Sequence, residues 1–125
     1  MIDRIVINTG LTTGGAGAST ATAYSQHVSG NIIAVQITYG GSPPAGTTDV
    51  TLSDESDPAA ENVINKANTA TNAKHHPLRL AQDNTGADLT VIYTPYAVHG
   101  RLKLTIAQAN DDDYAVATVW LDRKD

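Results

Sequence analysis

The chain has no cysteine and no phenylalanine, and one tryptophan and one methionine among its 125 residues. Without cysteine there is no disulfide framework, no thiolate nucleophile and no cysteine-based metal site. Five tyrosines and the tryptophan are the only aromatics, so Val, Ile, Leu and Ala must fill the core. No apolar run approaches the ~18 residues of a membrane-spanning helix, and neither a heptad nor a glycine period is present. A transmembrane helix, a coiled coil and a collagen are thereby excluded. Positive charge is also scarce, eight Lys and Arg against thirteen Asp and Glu, for a net −5. Direct binding of nucleic acid is not expected, because the basic footprint that phosphate requires is missing. The opening residues, MIDRIVINTG, lack the apolar stretch and cleavage site of a signal peptide, so synthesis in the cytoplasm is the expectation.

What the chain does have is Ala, Gly, Ser and Thr, two residues in every five. Thr and Gly are poor helix formers, and the length suits one domain with a real core. Residues 2–7 are a β-branched run that predicts a strand, with Ile2, Ile5 and Ile7 among its apolar members. A Gly-rich loop or arm follows, containing Gly14, Gly15 and Gly17. Residues 20–28 alternate weakly, Ser29-Gly30-Asn31 reads as a turn, and residues 32–39 alternate clearly, with Ile33, Val35, Ile37 and Tyr39 on one face. Pro43 and Pro44 stiffen the next loop. Further strands are expected at 48–53 and 89–93, while at 61–72 a helical turn competes with a short strand. Leu102, Leu104 and Ile106 share a face, and residues 114–121 alternate again after the polar Asn110-Asp111-Asp112-Asp113. Two such runs around a short turn predict a β-hairpin. The whole reads as all-β: one domain over 1–125, an antiparallel β-sandwich of about eight short strands, jelly-roll-like or Greek key, with 1–19 as N-terminal strand plus loop or arm.

Candidate chemistries fall one by one. GLTTGGAG at 10–17 lacks the Gly-Lys-Ser/Thr ending of a phosphate loop. His75 and His76 are adjacent, so on a strand they point to opposite faces and do not chelate one metal ion; surface or interface histidines are expected. The acids at 54–61, 83–88 and 111–113 lack the ligand spacing of a calcium loop and read as solvated turns. No Gly-x-Ser-x-Gly occurs and no serine has an evident base, so no enzyme and no cofactor is expected. The aromatics are spread along the chain, which points to packing rather than to a sugar-stacking face.

Taken together, TATAYSQHVSGNIIAVQITYGG, HHPLRLAQDNTGADLT and YAVHGRLKLTIAQANDDDYAVATVWLD resemble small phage head decoration, or cement, proteins. The last segment is similar to that family's Gly-Arg-Leu-Lys strand, acidic turn and closing strand. One departure lies before Pro77, where aromatics are common in the family and this chain has His75 and His76, implying a more polar contact. The resemblance implies a virion structural protein on the capsid exterior. Its partner would be the major capsid protein, and it would act as a homo-oligomer, dimer or trimer, with no membrane and no nucleic acid contacted. Ile2, Ile5, Ile7, Gly14, Gly15, Gly17, Pro43, Pro44, His75 and His76 are then the expected capsid or subunit contacts. The alternative expectation is a tail, fibre or knob module binding a host glycan, with Tyr93 and Tyr96 as the stacking residues.

Overall fold

The computed structural model describes residues 1–41, 45–58 and 61–123. Nine strands follow in order: β1 (Ile2–Asn8), β2 (Ser19–Gly40), β3 (Asp49–Asp54), β4 (Asn62–Lys66), β5 (Ala73–His75), β6 (Leu78–Gln82), β7 (Asp88–Pro95), β8 (Ala97–Ala109) and β9 (Tyr114–Arg123). Every pairing between them is antiparallel. Seven strands run in the order β1-β9-β2-β8-β3-β4, with β5 also on β2, while β6 and β7 form a separate ribbon. The all-β sandwich expected from composition and alternation is therefore present.

Its construction turns on β2. The first part of this 22-residue strand pairs with β8, and from Gly30 onward it pairs with β9. One layer is thus β2, β8, β3 and β4; the other is β1, β9, β2 and β5. Alternate residues of β8, β3, the second half of β2 and β9 fill the space between them, with Leu104, Leu52, Val35 and Val119 fully buried. Thin aliphatic side chains suffice because strands on both sides contribute them.

Three expectations need correction. Ser29-Gly30-Asn31 is no turn: β2 runs straight through it. Gly30 is buried, and a Cβ there would collide with the main-chain oxygen of Asp122, so the missing side chain is what lets β9 come close at the handover. Residues 102–121 are no hairpin. β8 has β2 and β3 on its two edges and β9 has β1 and β2, so neither has an edge left for the other. Residues 110–113 instead arch between the layers, and the two inner faces meet across the core. Ile33, lastly, does not share a face with Val35 and Ile37. A bulge lies between Ile32 and Ala34 in the β9 register, placing Ile32 inside and Ile33 outside, 42% exposed. The competition at 61–72 resolves as strand β4, with no helix there.

Candidate functional site

The first expected contact element, β1, is an edge strand paired only with β9. Alternation divides its side chains: Ile2 and Val6 are exposed, whereas Ile7 is 3% exposed and lies in the core, with Ile5 packed partly against it. Ile7 is therefore a core residue and no surface contact, because period two turns it away from Val6. Arg123 donates to Asp3 at 2.8 Å, closing the start of β1 onto the end of β9.

The glycine loop is laced to the 110–113 arch. Thr12, fully buried, donates to the Asn110 carbonyl at 2.6 Å and accepts from the Asp113 amide at 3.0 Å. The Gly15 amide donates to Asp111 at 2.9 Å, the Gly17 amide to the Asn110 side chain at 3.1 Å, and the Ser19 hydroxyl to Asp111 at 2.5 Å. The Ser19 hydroxyl first, then the Gly15 and Gly14 amides, hold the Asp111 carboxyl below the usual aspartate range. Gly14 and Gly17 are exposed on this stitched loop, which in the single chain is fastened to its own arch. Pro43 and Pro44 lie outside the described residues.

His75 ends β5 and His76 follows it. Both border a slot of about 300 Å³ lined by residues 63–66, residues 75–78 and Tyr96. Lys66 borders it too, donating to the Thr71 carbonyl at 2.7 Å with its ammonium 5.2 Å from the Tyr39 ring centre. Burial lowers the Lys66 pKa. Burial, and then the charges of Lys66 and His76, lower that of His75. Tyr39 is pushed up to about 12 by burial and by Asp49, so its phenol stays protonated. Among the described residues, the Tyr39 hydroxyl and His75 Nε2 are both buried without a hydrogen-bond partner. His75 is thus not the satisfied histidine that sequence reasoning favours. Among the described residues no group of three or more metal-ligating side chains gathers.

The structure also brings forward, beside Tyr93, residues the sequence did not single out. On the ribbon, Leu80 pairs with Tyr93 and Gln82 with Asp88, so residues 89–92 bulge opposite Ala81 alone. Val91 in that bulge has φ of 53°, which a β-branched side chain rarely adopts, and is 77% exposed. Leu78, Ile92 and Tyr93 are each more than half exposed beside it. The ribbon tip is set by Asp83, which accepts from the Thr85 amide, the Thr85 hydroxyl and the Ala87 amide. Arg79 ties the ribbon back to Glu61 at 3.3 Å. Tyr96, just after it, packs against the core. Alternation did not announce that Val91 and Ile92 face outward, because these two sit in the bulge.

Ser29 and His99, cross-strand neighbours, bring a hydroxyl 3.2 Å from an imidazole Nδ1. A serine with a histidine partner therefore exists, contrary to expectation. Asp54 stands nearby, but one carboxylate oxygen accepts the His99 main-chain amide at 3.1 Å and the other accepts the Ser56 amide and hydroxyl. It holds the backbone of a turn and does not hydrogen-bond the imidazole, which is the role a triad requires. Two aromatic rings besides Tyr39 approach a cation, with Arg101 4.4 Å from Tyr24 and Lys74 4.5 Å from Trp120. No family model matches the chain, and no curated protein does.

Proposed function

We propose that the protein is a structural subunit, not an enzyme, that decorates the exterior of a phage capsid by binding its major capsid protein lattice, most simply as a dimer or trimer. The observation that carries this reading is the β6–β7 ribbon. It holds Leu78, Val91, Ile92 and Tyr93 out in solvent on a strand pair bonded to itself and pinned to the body at Arg79 and Glu61. A lone two-stranded ribbon with apolar side chains in water is poorly stable and gains from being covered. The free edge of β1, with Ile2 and Val6 outward, offers a second patch for a neighbour. Contacts that are weak singly become strong when repeated over a lattice.

The resemblance to decoration proteins adds the partner. Mixing the purified protein with undecorated heads and imaging them tests the reading: added density at regular lattice positions is expected, and bare heads overturn it. Particle-bound protein is also expected to melt above the free subunit, since binding to the folded state stabilises it. Equal melting temperatures by scanning calorimetry would count against the proposal. The glycan-binding alternative receives less support, because Tyr93 is exposed while Tyr96 packs against the core, so the two rings offer no common stacking platform.

A further inference from the structure

The two layers of the sandwich end side by side. Among the described residues, β4 is the last strand of one and pairs only with β3, and β5 is the last strand of the other and pairs only with β2. The slot lies between them. Val63 is the extra residue of a bulge against β3, but Ile64, Asn65 and Lys66 alternate sides and all three line the slot, so the backbone edge of β4 borders the gap, not one of its side-chain faces. Such an edge presents unpaired amide and carbonyl groups to an incoming chain.

The side chains of the slot carry a second message. Among the described residues that line it, three are basic, Lys66, His75 and His76, and none is acidic, in a chain whose net charge is −5. Lys66 uses one N–H on Thr71, which leaves two for a ligand. Val63, Ile64, Leu78 and Tyr96 supply apolar walls. The unpartnered Nε2 of His75 is a further sign that this wall is incomplete in the free chain.

We propose that the slot takes an extended segment of a partner protein, which adds as a strand along β4 and sets an acidic side chain against Lys66 and His76. A free phosphate would satisfy the charges but neither the backbone edge nor the apolar walls. An extended peptide satisfies all three: main-chain bonds supply affinity and alternate side chains supply specificity. The volume of about 300 Å³ suits one or two side chains, not a folded domain.

The test uses the intact protein and three probes: a capped heptapeptide alternating valine and aspartate, its asparagine counterpart, and sodium phosphate. Amide chemical shifts are followed by NMR at low, constant ionic strength. The aspartate peptide is expected to shift residues 62–66 and 73–76 saturably, and to bind at least about fivefold more tightly than the asparagine peptide. Lys66→Gln should bring the two peptides level, while Lys66→Arg, which keeps the charge, should preserve the preference. If Lys66→Gln fails to fold, Lys66→Arg against the native protein and His76→Gln carry the comparison. Equal affinity for the two peptides, no saturable shift, or the same shifts from phosphate alone would overturn the proposal. No particle enters this measurement, so its failure is distinct from failure of the lattice reading.

Discussion

Among single residues, Thr12 shows how much one hydroxyl can organise. It comes from a loop that composition alone makes look free, yet it is fully buried and joins both sides of the 110–113 arch. Replacing it by valine keeps the shape and removes both hydrogen bonds, leaving the buried Asp113 amide only its long 3.4 Å bond to the Asn110 carbonyl. Thr12→Val is expected to cost about 2 kcal/mol in a urea unfolding curve, with the slope unchanged. Thr22→Val, on an exposed hydroxyl 3.4 Å from its Thr105 partner, should cost close to nothing. Val91 points the opposite way. Its left-handed backbone is costly for a β-branched residue, and the residue is 77% exposed. Val91→Asn should therefore raise the melting temperature, by about 0.5–1 kcal/mol of added stability, while weakening attachment to undecorated heads. A drop in stability would show that Val91 contributes packing within the free subunit.

At the level of elements, the decisive joint is Gly30. A methyl group there meets main-chain atoms of Asp122 and Arg123, which cannot swing aside as a side chain would. Gly30→Ala is expected to destabilise by about 3 kcal/mol or to prevent folding, read by thermal melting. Gly46→Ala, where a Cβ would meet nothing within 4 Å, is the control. The same joint marks the limit of what the sequence made legible. Alternation identified the shared face of Leu102, Leu104 and Ile106, all buried, and the alternating run of β9, whose buried side proves to be that of Val119 and Leu121. Alternation says which face is buried and nothing about the neighbouring strand, so a hairpin and an arch look identical in it. Ser-Gly-Asn likewise reads as a turn because glycine serves both a reversal and a close approach. His75 and His76 were visible as unusual residues. The slot they border was not, since Lys66 reaches it from another layer and only the fold puts β4 beside β5.

The whole molecule binds its charges in a way that makes acid its weakness. Asp83 and Asp111 are held below the ordinary aspartate range by hydrogen bonds. At Asp54 burial works in the raising direction, but bonds from Ser56 and His99 outweigh it and the pKa is again lowered. A carboxyl with a lowered folded-state pKa contributes its stability above the unfolded value near 3.9, and loses it as the pH falls through the folded value. His75, lowered by burial and by its cationic neighbours, follows the same sign in a higher window: its neutral form is preferred in the fold, so stability declines below about pH 6.5. The melting temperature is thus expected to fall in two stages, below about pH 6.5 and again below about pH 4. His75→Gln should remove the first stage and leave the second. A flat profile from pH 7.5 to 5 in the native protein would refute the His75 contribution. The two layers also differ from those of a sandwich assembled from separate hairpins, because β2 belongs to both. A pull on one layer against the other loads a continuous covalent backbone before it loads any side-chain packing. The ladders that β2 makes with β8 and β9 then resist as sets of bonds sheared together, not unzipped one by one. In mechanical terms the long strand is a tie rod, and a subunit stretched between neighbours would yield first at its ribbon and edges, and last through its middle.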